Sequence, residues 1–258
     1  MGLNDSWNRL SSWHGTNCCQ WSGIACHNTT GAVLAVDLPN SSGRQPLGGE
    51  IRPSLAKLKS LKHLDLSGNN FTGKIPHFLS SLENLQYLNL SYAGFRGAIP
   101  PNLGNLSSLQ FLDVSYWGST VDNLEWDSIG FGELPNLESL MLNYNLKLSA
   151  SCFQLFSRSW KKIQVLDLSI TELHGRLPAL LGNMTSLIHF DLHFNHIEGG
   201  IPSSIGKLSN LQYIDLSLNN LTGSLPDSIG QLKNLVELRL NNNLLQGSIP
   251  SSLETYSV

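Results

Sequence analysis

The chain is short of charge and has no excess of either sign. Its 258 residues include 16 Lys+Arg and 19 Asp+Glu, a net charge of −3, and only 14% of residues are charged. With no basic run, nucleic acid and anionic membrane are poor partners. No apolar stretch approaches the roughly 18 residues that a membrane helix needs. Residues 1–12 also lack the apolar core of a signal peptide, so either a targeting segment has been removed or the chain is a fragment. Catalytic signatures are missing as well: there is no Gly-rich phosphate loop, no HExxH, no GxSxG and no nucleophile–base spacing. No enzyme, cofactor or metal site is expected.

What the chain has is repetition. Residues 208–231, LSNLQYIDLSLNNLTGSLPDSIGQ, recur on either side, with units starting at residues 58, 82, 106, 134, 160, 184, 208 and 232, in steps of 24, 24, 28, 26, 24, 24 and 24 residues. So strict a period predicts a solenoid. Within LQYIDLS, apolar and polar residues alternate, placing Leu211, Ile214 and Leu216 inside and Tyr213, Asp215 and Ser217 outside a short strand. Stacked units would pair these strands into a parallel sheet over a shared core, an α/β-type solenoid. Asn219, where the chain leaves the strand, can satisfy backbone groups that would otherwise be buried unpaired. Gly223 and Pro226 break helices, which predicts 3₁₀ and extended segments on the return arm. The first coil, residues 33–55, carries a small extra loop around NSSGRQP. Residues 32–258 thus hold about nine coils of one elongated domain, with no C-terminal cap.

Residues 1–31 do not fit the period. They hold Trp7, Trp13, Cys18, Cys19, Trp21 and Cys26, and are expected to cover the first coil. Cys19 and Cys26 enclose six residues and form the expected disulfide; Cys18 lacks a local partner, and Cys152 suits a buried free thiol. Two coils are enlarged, by STVDNLEWDSIGFGE at 119–133 and by KLSASCFQLFSRS at 147–159. Both additions should lie on the outer or lateral side. Asn-x-Ser/Thr sequons at Asn4, Asn28, Asn40, Asn70, Asn89, Asn105, Asn183 and Asn220 are candidate glycosylation sites and, with the cysteines, favour a secreted chain.

Because each strand alternates, its outward residues form columns across the sheet. Tyr87, Tyr92, Phe111, Tyr116, Trp117 and Tyr144 make an aromatic patch suited to a protein partner, or else merely stabilise the sheet by cross-strand pairing. Asp167, Asp191 and Asp215 stack as like charges, which should raise their pKa values, and Arg239 continues their column. His189, Asp191 and His193 share a strand face, but no third strong ligand is evident on the flanking strands, which argues against a metal there. Histidines among carboxylates could instead make binding sensitive to mildly acid pH. Phe194 and Tyr213 complete the candidate partner-binding set.

The string WHGTNCCQWSGIAC leading into TGAVLAVDL, followed by repeats of the LxxLxxLxLxxNxLxGxIPxxLGxL type, resembles the extracellular region of plant leucine-rich-repeat receptor-like proteins and receptor kinases. Segments such as SLENLQYLNLSYAGFRGAIPPNLGNLSSLQFLDVS and VDNLEW are similar to the receptor-like proteins of the ethylene-inducing-xylanase-receptor type. The resemblance implies plant-specific 24-residue repeats behind a partial N-terminal capping region at 1–31. It also implies an upstream cysteine as the partner of Cys18 and further repeats beyond residue 258. It implies recognition of a secreted protein or peptide on the concave and lateral surfaces, with receptor kinases as co-receptor or adaptor, at the plant cell surface in immunity. A secreted inhibitor like the polygalacturonase-inhibiting proteins, a developmental peptide receptor, and an ice- or cell-wall-binding solenoid are the alternatives.

Overall fold

The structure is a computed structural model that describes residues 2–116, 124–125 (backbone only), 134–157 and 160–253. It forms two compact units, Met1–Leu137 and Glu138–Val258. In the first, the strands Val33–Asp37, His63–Asp65, Tyr87–Asn89 and Phe111–Asp113 pair in parallel, one per coil, and Ile24–Cys26 closes the edge antiparallel to Val33–Asp37. In the second, Ser139–Met141, Val165–Asp167, His189–Asp191, Tyr213–Asp215 and Glu237–Arg239 pair in parallel. The register pairs repeat position with repeat position: His63 with Tyr87 with Phe111, and Val165 with His189 with Tyr213 with Glu237.

The alternation dictates the core. Leu211, Ile214 and Leu216 have no exposed surface, and neither do Leu187, Phe190 and Leu192 one coil earlier. The asparagine at the strand exit completes it. Asn219 is buried; its Nδ2 donates to the carbonyls of Leu192 (2.9 Å) and Leu216 (3.2 Å), and its Oδ1 accepts from Ile197 N–H (3.0 Å). Asn195 and Asn243 repeat the pattern. One side chain therefore ties its own turn to the coil before it and supplies partners for backbone groups that no strand reaches.

The return arms are 3₁₀ turns, among them His77–Ser81, Pro101–Asn105, Ala179–Asn183, Ser203–Lys207 and Asp227–Gln231. Proline opens each of these in extended conformation, at Pro76, Pro100, Pro178, Pro202 and Pro226, and the next coil's first apolar residue ends each with an i→i−3 bond, as Leu208 N–H does to Ile205 (3.0 Å). Gly206 lies where a Cβ would come within 2.5 Å of the Ser228 carbonyl, so this turn keeps its approach to the next only with glycine there.

Three features depart from the sequence expectations. The extended arms pair into second sheets: Leu3–Asn4, Gly48–Gly49 and Asn70–Phe71 in the first unit, and Ser149–Ser151, Glu172–Arg176, His196–Gly199, Asn220–Gly223 and Leu244–Leu245 in the second. The enlarged coil at 147–159 forms an α-helix, Cys152–Phe156, capped by Ser151, which buries Cys152, Leu155 and Phe156. This stretch carries neither the glycine nor the proline that break helix elsewhere, so a helical turn can bury its apolar side. At the N-terminus the cover is partial. Trp13 and Trp21 stack (centroids 5.0 Å) and line an apolar cleft of about 360 Å³ with Cys18 and Leu55, whereas Trp7 is 56% exposed. Cys19 and Cys26 are bonded, and Cys18 and Cys152 are free thiols. Sequence reasoning missed Arg9, whose guanidinium anchors this segment to the first coils through Asn69 Oδ1 (2.9 Å) and the Pro39 carbonyl (2.7 Å).

Candidate functional site

Each three-residue strand presents its first and third residues outward, and the structure gives each position a distinct role. The first carries rings in contact across rungs. His63, Tyr87 and Phe111 stack continuously, with both centroid distances 4.2 Å, and His189 and Tyr213 stack at 4.3 Å with planes 3° apart. Strands about 4.8 Å apart place opposed rings at stacking distance, so the register alone produces the ladder. Burial against these neighbours raises the pKa of Tyr87 and pushes that of Tyr213 up to about 12, the second aided by the charges of Asp191 and Asp215.

The second outward position carries Asp or Asn except at Met141 and Arg239, and here the sequence reading needs correction. Asp191 and Asp215 were expected on the open face, but they are buried, at 8% and 3% exposure, and Asp65 and Asp113 with them. The cause is a local turn of hydrogen bonds. At Asp65, Asn89, Asp113, Asp167, Asp191 and Asp215 the Oδ1 accepts from the N–H two residues on: Ser67 (2.9 Å), Ser91 (3.0 Å), Ser115 (2.8 Å), Ser169 (3.0 Å), His193 (2.9 Å) and Ser217 (2.8 Å). The side chain bends back along its own strand. Asp167 and Asp113 do have raised pKa values. The leading cause is burial rather than stacked like charge, and the Ser169 and Ser115 bonds partly offset it.

Asp191, His193 and Asp215 converge with donor atoms within 4.8 Å of one another, so the flanking strand does bring the third ligand that the sequence did not reveal. Those donors are already engaged. Asp191 Oδ1 holds both the N–H and Nδ1 of His193 (2.8 Å), Asp215 Oδ1 holds Ser217, and Asp215 Oδ2 faces Tyr213 Oη (3.3 Å) and the Arg239 guanidinium (3.7 Å). A guanidinium in that place opposes a cation. The bond to Asp191 is also the main reason that the His193 pKa is raised. Arg239 lies over the Tyr213 ring (5.7 Å) and pairs with Glu237.

A further column lies at the edge of the face. Tyr92, Tyr144, Ile170, Phe194, Leu218 and Asn242 all adopt left-handed backbone, with φ between 53° and 64°. Tyr92, Phe194 and Leu218 are exposed there. Tyr92 borders a cleft of about 470 Å³ with Asn40 and Ser91; Phe194, Leu218 and Leu146 line another of about 290 Å³ with Glu172 and His196, which pair at 3.0 Å. Of the predicted aromatic patch, Tyr87 and Phe111 are packed together and Tyr92 belongs to the edge column. Tyr116 and Tyr144 are half-buried, and Trp117 lies outside the described residues.

The Leucine rich repeat family matches residues 49–95 and 190–245, and the Leucine rich repeat N-terminal domain matches residues 2–27. The fold is that of a leucine-rich-repeat solenoid. More particularly, the chain resembles the plant receptor-like proteins: it is 38% identical over 79 residues to Receptor-like protein 12 of Arabidopsis thaliana (29% of this chain, 9% of that protein). It is 43% identical over 86 residues to Receptor-like protein EIX2 of Solanum lycopersicum (30% of this chain, 8% of that protein). The matched stretches thus cover less than a tenth of the length of these curated relatives. The crystal structure of the Arabidopsis receptor kinase HAESA, in complex with the peptide hormone IDA and the co-receptor SERK1, superimposes with a TM-score of 0.71 at 29% identity, over 98% of this chain and 50% of that one.

Proposed function

We propose that this chain is a ligand-recognition segment of a plant cell-surface receptor-like protein, displayed outside the cell, that binds a secreted protein or peptide and works with a partner receptor kinase. The observation that carries the reading is the outward face of the strands. Its ring ladder and left-handed edge column are fixed by register and hydrogen bonding, and so present rigid aromatic and apolar side chains at little entropic cost. The resemblance to receptors of the ethylene-inducing-xylanase type favours immunity and a microbial ligand. The likeness to a HAESA complex that holds a peptide hormone favours the second reading, a developmental peptide receptor.

Two ligand sets separate these readings: secreted microbial proteins and plant peptide hormones, each titrated against the folded chain. Binding from one set, weakened by roughly 1 kcal/mol or more in Tyr116→Ala or Tyr144→Ala, supports the corresponding reading. Unchanged affinity in both variants removes Tyr116 and Tyr144 from the site. Inhibition of a pectin-degrading enzyme without binding in either set points to an inhibitor instead.

A further inference from the structure

The eight sequons are equivalent as sequence and unequal as structure. N-linked glycosylation joins the asparagine Nδ2 to the anomeric carbon of an oligosaccharide. The bond from that carbon to a lipid pyrophosphate breaks, the lipid pyrophosphate leaves, and the amide gives up a proton. The folded protein must then leave room at Nδ2 for a bulky, hydrated group. Two of the eight leave none. Asn40 is 7% exposed and its Nδ2 donates to the Gly68 carbonyl at 2.9 Å, holding the NSSG loop to the second coil. Asn89 stands in the carboxylate column. Its Nδ2 faces Asp65 Oδ2 (3.3 Å) and Tyr87 Oη (3.4 Å), and its Oδ1 holds Ser91.

The other six are exposed, and among the described residues none hydrogen-bonds their Nδ2 atoms. Asn105 and Asn183 occupy the same repeat position, the last residue of a 3₁₀ turn. Asn70 and Asn220 sit in strands of the second sheets. Asn4 lies on the first short strand and Asn28 in the turn after Ile24–Cys26. None of the six belongs to a strand of the ring ladder. Asn89 is the one sequon in those strands, and its carboxamide is part of the face.

We infer that Asn4, Asn28, Asn70, Asn105, Asn183 and Asn220 carry N-linked glycans, that Asn40 and Asn89 do not, and that the ring-ladder faces of both units are thereby kept free of sugar for a macromolecular partner. This rests on the proposal that the chain is exported, and assigns which surfaces remain open to a ligand.

The test is to secrete the full chain from plant cells behind a cleavable leader and release its glycans enzymatically in heavy-oxygen water. Mass spectrometry then finds each labelled aspartate. Label is expected at the six exposed positions and absent from Asn40 and Asn89. Label at Asn40 or Asn89 in folded, secreted protein overturns the inference, as does secreted protein with no label at the six. The outcome is separable from ligand binding: a chain labelled at the six positions that binds neither ligand set defeats the receptor reading alone. As a second measurement, Asn105→Gln and Asn183→Gln should each remove one glycan mass with no change in the melting temperature of the deglycosylated protein, because neither carboxamide holds anything. A fall in that melting temperature would show that these side chains are structural and count against their assignment.

Discussion

Tyr87 and Phe111 lie ring on ring, with centroids 4.2 Å apart and planes 8° from parallel, and the other face of Tyr87 is covered by His63 at the same distance. The middle ring of the ladder therefore carries two stacking contacts, each worth about 0.5–1.5 kcal/mol beyond area burial. Tyr87→Ala is expected to lower stability by about 1–3 kcal/mol, and Tyr87→Phe, which keeps both stacks, by well under 1 kcal/mol. Urea denaturation of the three proteins checks this. Equal losses in the two variants would place the contribution in the hydroxyl and not in the stack.

Asn219 tests the seam between coils. Asn219→Ala takes the partner from Ile197 N–H, whereas the Leu192 and Leu216 carbonyls each lose one of two amide donors and keep the other, from Asn195 Nδ2 and Asn243 Nδ2. An orphaned buried group costs about 1–3 kcal/mol, so the expected loss is about 1–3 kcal/mol. Hydrogen exchange should show Ile197 N–H losing protection first. Retained protection there would mean that the amide is not held by Asn219.

Asp113 gives the pH dependence a sign. Its folded pKa is raised above the ordinary aspartate value, first by burial. Its contribution to stability is thus present below the unfolded-state pKa and is lost as pH rises through the folded one. Asn89 occupies the same position in the neighbouring strand and holds Ser91 as Asp113 holds Ser115. Asp113→Asn should therefore keep the turn, gain stability over the native chain as pH rises, and show the advantage fully at neutral pH. Parallel stability curves between about pH 3 and pH 7 would contradict this.

Ile170 is a β-branched residue in left-handed backbone, at φ 54°, a conformation that costs an L-residue about 1–2 kcal/mol. Asn242 takes the same conformation at the same repeat position, φ 56°. Ile170→Asn should leave the fold intact and raise stability by up to about 1 kcal/mol, since asparagine tolerates this region better. A lower melting temperature would show that packing of the isoleucine side chain outweighs the strain.

Much of this was legible in one dimension. The 24-residue period predicted the strands, their parallel order and their register, because stacked units of equal length have only one way to share a core. Asn219 was legible for the same reason: an amide at a fixed exit position has one backbone environment, repeated. The helix Cys152–Phe156 was not, since it is defined by the absence of a breaker in a stretch without a period. Neither were the second sheets, whose strands are two to five residues long and carry no alternation that distinguishes them from a loop.

The sequence by itself determined which residues point inward and which columns align, because a strand's alternation and a fixed repeat length are properties of the chain. Only the tertiary structure decided what the outward columns do. Whether Asp191 offers its carboxylate to a partner or spends it on His193, and whether Asn89 and Asn105, each a sequon, keep or surrender their amides, depends on neighbours that sequence spacing does not position. Hydrogen bonds are directional and short-ranged, so they are settled only when one rung lies beside the next.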